Sequence, residues 1–172
     1  MKLLSKVPAK ELQGKVCLLR VDFNIEGKGA HFRLKAALPT IEFLRARDAK
    51  VLIISHRGRP KMRCAPQGNG CAVAAKDSLR MALSFLKTHF DTPITFAKPF
   101  DLVELGLRLR AAKPGSLFLM ENVRLLEGEE EDHEALGKQL AALGDLFIND
   151  AFSVCHRANA SVVAITRYIR SY

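Results

Sequence analysis

KVCLLRVDFN, residues 15–24, is an apolar run that closes abruptly on Asp22 and Asn24. Short, nearly continuous apolar runs suit strands buried on both faces of a parallel sheet. Such a strand ends in a carboxylate and an amide only where something beyond its end calls for them. KVLIIS (50–55), PITFA (93–97), SLFLM (116–120) and DLFIN (145–149) have the same character, and SVVAI (161–165) reads as a further strand.

Helical periodicity fills the intervals. RLKAALPTIEFLRAR (33–47) spaces Leu34, Ala37, Leu38, Ile41 and Leu44 along one face, with Pro39 expected in or near its first turns. DSLRMALSFLKTHF (77–90), DLVELGLRLRAA (101–112, Asp101 as its N-cap) and EDHEALGKQLAAL (131–143) are the other expected helices. Strands alternating with helices at these lengths imply βαβ units. The fold class expected is α/β, a Rossmann-like three-layer sandwich: a mostly parallel sheet with helices on both faces. The acidic run EGEEEDHE (127–134) reads as charge at a helix start, where carboxylates are favoured.

With 172 residues, 48% of them apolar and 26% charged, the chain suits one globular domain. No apolar run approaches the roughly 20 residues that span a bilayer, and MKLLSKVPAK lacks the features of a signal peptide. The expected location is cytoplasmic. Cys17, Cys64, Cys71 and Cys155 form no C-x-x-C pair and no zinc spacing, so reduced thiols are expected. The net charge of +9 is concentrated in residues 1–63, which carry 15 Lys and Arg against 5 Asp and Glu. Such a surface favours a polyanionic or phosphorylated partner.

Polar residues cluster where the strands end. Asp22 and Asn24 follow the first, and Ser55, His56, Arg57, Gly58 and Arg59 the second. Glu121, Asn122 and Arg124 follow SLFLM, while Asn149, Asp150, His156 and Arg157 follow DLFIN. In a parallel sheet these carboxyl ends share one edge, where open α/β folds bind ligands. Arg33, Arg59, Arg124 and Arg157, with His56, can surround a phosphate and a carboxylate. Asp22 and Asn24 offer the acceptors and donor that a hydroxyl needs. Four guanidinium groups in one pocket repel each other unless an anion joins them. Each residue also has a plainer reading, as a solvated loop arginine, a strand-end histidine or a turn former.

RVDFN, RLKAALPTI, SHRGRP, ENVRL and NDAFSVCHRANAS stand in the order and approximate spacing found in the N-terminal half of phosphoglycerate kinases. The chain resembles that family from about Gly14 to Ile165. The resemblance implies that residues 1–172 form the domain binding 3-phosphoglycerate, with a separate nucleotide-binding domain absent from this chain. It implies that Asp22 and Asn24 hold the substrate's hydroxyl end. His56, Arg59, Arg124 and Arg157 would grip its phosphate. Arg33 would sit by the carboxylate as the catalytic residue, neutralising the phosphoryl group in transfer. The reaction implied is reversible transfer between ATP and 3-phosphoglycerate, giving 1,3-bisphosphoglycerate, a glycolytic step. Mg-ATP or Mg-ADP serves the complete enzyme, and none is expected to bind tightly to this chain, which is expected to be inactive alone and monomeric.

The sequence departs from the family's pattern at several points. The Asn24–Arg33 loop is several residues shorter than usual, Ser153 replaces a glycine, and Asn159 replaces the second histidine of an HRAH motif. No G-x-x-x-x-G-K-[ST] run occurs, and GNG (68–70) follows no strand. Two alternatives remain: a non-catalytic one-domain relative, or a basic module for nucleic acid. The second is disfavoured by few aromatics and the lack of an RNP-like motif or zinc finger. No membrane partner is expected.

Overall fold

The computed structural model describes residues 3–24, 30–60, 73–98 and 101–172. Five strands make one sheet: β1 (Val16–Val21), β2 (Lys50–Ile54), β3 (Ile94–Ala97), β4 (Leu117–Met120) and β5 (Leu146–Asp150). Their order is β3-β4-β2-β1-β5, and every pairing is parallel. Among the described residues five α-helices accompany them: α1 (Ala9–Leu12), α2 (Ala30–Arg45), α3 (Arg80–Lys87), α4 (Leu102–Ala111) and α5 (Glu134–Ala141).

The two-residue period of the strands divides the core. Cys17, Leu19 and Val21 join Val51 and Ile53 beneath α2 and α3, through Leu34, Ala37, Ile41, Leu44, Leu83 and Leu86. Val16, Leu18, Leu52, Ile54 and Phe147 face the other way, against Leu105 and Leu109 of α4 and Leu136 and Leu140 of α5. The expected three-layer sandwich is present, with helices on both faces. Connections toward the β3 edge use one face and the returning ones use the other, as crossovers of a single hand require. The chain therefore leaves β2 toward the α3 face and its neighbour β4 toward the α5 face. That divergence opens a crevice between their carboxyl ends.

Several expectations change in detail. Helix α2 begins at Ala30, which places Arg33 in its first turn and Pro39 in its middle. Pro39 is tolerated there because it lies on the exposed side, where water can take the carbonyl that its missing N–H leaves. Helix α5 is shorter than expected, because Asp132 has a positive φ of 50° and its Oδ1 accepts from Ala164 N at 2.8 Å. SVVAI is not a strand. Val162 N and Val163 N both donate to the Asn159 carbonyl, Ser161 N and Ala164 N go to the Glu129 and Asp132 side chains, and a 3-10 turn spans Ala164–Arg167. The β5 edge is covered instead by the end of the chain, where Tyr172 N donates to Phe147 O at 2.9 Å. Asp101 caps α4 as expected, accepting from Glu104 N at 2.8 Å.

Cys17 and Cys155 are free thiols, and burial pushes that of Cys17 up to about 12. Cys64, Cys71, the GNG run and Ile25 to Gly29 lie outside the described residues. Among the described residues no helix is long and apolar enough to cross a membrane.

The turn at Ala164–Arg167 packs against α5 at Gly137. A β-carbon on Gly137 would lie 2.5 Å from Ala164 Cβ and 2.7 Å from its carbonyl carbon. Gly137→Ala should therefore overpack this contact and lose about 1–3 kcal/mol of stability in urea unfolding. An unchanged midpoint would show that this seam is not close-packed.

Candidate anion site at the carboxyl edge of the sheet

Asp22, just past β1, turns the chain off the sheet. Its Oδ1 accepts from Asn24 N at 2.9 Å, a local turn of the kind Asp favours. Its Oδ2 takes Arg33 Nη1 at 2.8 Å and also the Ser153 hydroxyl. Asn24 Oδ1 accepts from Gly58 N at 2.9 Å, which ties the β1 end to the SHRGRP loop. Gly58 sits at φ 55°, a left-handed conformation that suits glycine. Its carbonyl then receives Arg124 Nη1 at 2.7 Å, and Arg124 Nε lies 3.5 Å from Glu130. Loops after β1, β2, β4 and β5 are thus linked by direct contacts.

Beneath this rim lies a buried network that the strand periodicity places but does not announce. Arg20 falls on the α5 face of β1, paired with Ile54 and Asn149, and is 1% exposed. Its Nε donates to Ser161 Oγ at 3.0 Å, Nη1 to the Val21 carbonyl, and Nη2 lies 3.1 Å from His56 Nδ1. The Ser161 hydroxyl donates a hydrogen bond to Glu129 Oε1 at 2.6 Å, and its N–H donates to Oε2 at 2.9 Å. Burial lifts the Glu129 carboxyl, opposed by the Arg20 charge and the two Ser161 bonds. Burial likewise lowers Arg20, opposed by Glu129 and Asp22. Arg20, Glu129 and Ser161 are absent from the expected site. The only sequence signal was an arginine inside an apolar strand, and the acidic run does more than decorate a helix start.

Electrostatics bring the remaining residues together. His56 is pushed down to about 2, first by burial and then by Arg20, Arg124, Arg157 and Arg33. Arg124 is lowered by burial and by the charges of Arg157 and Arg59, with Glu130 and Glu129 opposing. The positions expected to converge, Asp22, Asn24, Arg33, His56, Arg59, Arg124 and Arg157, therefore share this edge. Arg33 and Arg59 are exposed, Arg157 is half-buried, and Arg124 is buried.

Other polar strand ends serve as scaffold. Ser55 Oγ bonds Val21 O and Phe23 N, both at 2.8 Å, locking β1 to β2. Asn122 accepts from Arg57 N and Arg124 N and donates to Arg57 O and Asp77 O. Glu121 receives Ser78 Oγ, Leu79 N and Asn122 N, which anchors the start of α3. Asn149 accepts from Ala151 N at 3.1 Å, the part of a turn former. Asn159 donates to the Glu129 carbonyl at 3.1 Å, so it supports the network.

The depressed His56 has a measurable consequence. The unfolded histidine takes a proton near pH 6.5, whereas the folded one refuses it down to about 2. Its contribution to stability is complete above pH 6.5 and is lost as pH falls, at up to about 1.4 kcal/mol per unit. Urea unfolding from pH 7.5 to 5 should therefore show a steeper loss for the natural chain than for His56→Gln. Parallel curves would contradict a neutral, buried ring.

Comparison with known proteins gives one family throughout. The phosphoglycerate kinase family model matches residues 7–172. A phosphoglycerate kinase of Coprothermobacter proteolyticus is 40% identical over 174 residues, covering 98% of this chain and 42% of its own length. One from Caulobacter sp. (strain K31) is 38% identical, covering 94% of this chain and 40% of its own. The solved phosphoglycerate kinase of Coxiella burnetii superposes with a TM-score of 0.79 at 30% identity, over 98% of this chain and 39% of that one. That of Pyrococcus horikoshii OT3 gives 0.79 at 26% identity, over 99% and 42%. The chain spans about two fifths of the length of the curated relatives it matches. With a family match over nearly every residue and that family's fold around the cationic edge, the chain belongs to the phosphoglycerate kinase family.

Proposed function

We propose that residues 1–172 are the substrate domain of a cytoplasmic phosphoglycerate kinase, binding 3-phosphoglycerate and 1,3-bisphosphoglycerate at the carboxyl edge of the sheet. The observation that carries this reading is the convergence of Arg33, Arg124 and Arg157 on a neutral His56, with Arg59 acting on Arg124 and with Asp22 and Asn24 at the same edge. In this reading His56, Arg59, Arg124 and Arg157 hold the phosphate, and Asp22 and Asn24 take the hydroxyl. Arg33, held by Asp22 at 2.8 Å, swings to the carboxylate and neutralises charge as the phosphoryl group moves. Transfer of this kind depends on positioning and charge stabilisation, which an arginine cluster supplies.

Mg-nucleotide is a separate matter. Mg2+ takes oxygen ligands, and the donor set here is mainly cationic, its Asp22 carboxylate already engaged by Arg33 and Ser153. These residues do not fit a metal-nucleotide site, so no step through one is assigned to them. Residues 1–172 by themselves are proposed to bind the acid substrate and to show no turnover with ATP.

Calorimetry with 3-phosphoglycerate tests the reading. Binding should be seen, and Arg157→Ala should weaken it about 10- to 100-fold, the worth of a charge-assisted hydrogen bond. Ser153→Gly should tighten it about 2- to 10-fold, because it returns an Asp22 acceptor that the serine hydroxyl occupies. No heat from folded protein would sink the reading. Polyanion binding with a steep inverse salt dependence, indifferent to 3-phosphoglycerate, would favour the basic-module alternative.

A further inference from the structure

An arginine side chain only donates: its guanidinium has five N–H groups and no acceptor. The 3.1 Å contact between Arg20 Nη2 and His56 Nδ1 therefore has one chemical reading, with Nδ1 as the unprotonated acceptor. The ring proton then belongs on Nε2. Arg20 is held in this orientation from behind. Its Nε is taken by Ser161 Oγ and its Nη1 by the Val21 carbonyl. Ser161, having accepted that bond, donates its own hydrogen bond to the buried Glu129. The hydrogen bonds run in one direction, with Arg20 donating at one side to Ser161 and at the other to the imidazole.

We propose that Arg20 is a positioning residue that locks His56 as its neutral Nε2–H tautomer, so that the histidine offers an anionic oxygen a single neutral N–H and acts as neither a charge nor a proton carrier. The charged groups facing the ring agree with this. Arg20 contacts it from β1, and the charges of Arg124 after β4, Arg157 after β5 and Arg33 on α2 also act on it, all cationic. The carboxylates Asp22 and Glu129 act on Arg20. A fifth cation among four arginines would be repelled, whereas a neutral donor adds a hydrogen bond without that penalty. The claim about the ring stands on this geometry alone; the claim about its ligand rests on the phosphoglycerate reading above.

Long-range proton–nitrogen NMR of the histidine-labelled full chain tests both. His56, assigned by its loss in His56→Gln, should show an unprotonated Nδ1 and a protonated Nε2 from pH 7.5 to 5.5. Arg20→Lys, which keeps a pure donor, should preserve that pattern. Arg20→Gln can present an oxygen instead, and His56 should then gain an Nδ1 proton by pH 5.5. A doubly protonated or Nδ1–H ring in the natural chain overturns the proposal, as does an unaltered pattern in Arg20→Gln. Should the Arg20 variants fail to fold, the natural chain's spectrum decides alone. Adding 3-phosphoglycerate should shift the Nε2 resonance and leave Nδ1 unprotonated. An unmoved Nε2 at saturating ligand overturns the ligand claim and, with the ring pattern intact, leaves the Arg20 assignment standing.

Discussion

A guanidinium buried inside a parallel sheet is the constraint from which the functional edge is built. Arg20 lies among apolar strand residues, where an unpaired charge would destabilise the fold by about 3–5 kcal/mol. All three of its nitrogens are engaged, by Ser161, Val21 and His56. Satisfying them draws residue 161 onto residue 20 across 141 positions of chain and brings Glu129 with it. The loops after β4 and β5 are thereby fixed over the end of β1, and the arginines of the rim inherit their places from that docking.

The rim is held by a second set of contacts, from Asp22 through Asn24 and Gly58 to Arg124. Its two layers differ in purpose. Buried Arg20 is committed to protein partners and Arg124 is anchored through the Gly58 carbonyl, whereas Arg33 and Arg59 remain exposed. A site that clamps some cations and leaves others at the surface can admit a multiply charged anion and still fold without one. The neutral His56 limits the repulsion that such crowding creates.

Much of this was legible in the sequence because parallel-sheet strands and their carboxyl ends leave local marks. Short, nearly continuous apolar runs located all five strands of the described sheet, and polar residues just beyond them marked the edge. What escaped depends on contacts between distant segments. Arg20 looked like part of its strand, since its side-chain partners His56 and Ser161 lie 36 and 141 positions further on. Glu129 was hidden in an acidic run that a helix start explains, and Ser161 in a β-branched stretch that reads as a strand. SVVAI turned instead because Asn159, Glu129 and Asp132 take its amides, a tertiary choice that overrides local propensity. Pro39 suggested a helix beginning, yet it is accommodated mid-helix on the solvent side.

In the proposed function one edge of the sheet, and not the basic surface at large, receives a phosphorylated acid. Backbone amide mapping during titration with 3-phosphoglycerate addresses it most directly. Changes should be confined to the carboxyl edge, at Phe23, Asn24, Gly58, Arg124 and residues 151–157, with Lys15, Lys50 and Asp145 at the opposite edge unmoved. Changes spread over exposed lysines on both edges, or centred on the amino edge, would contradict it.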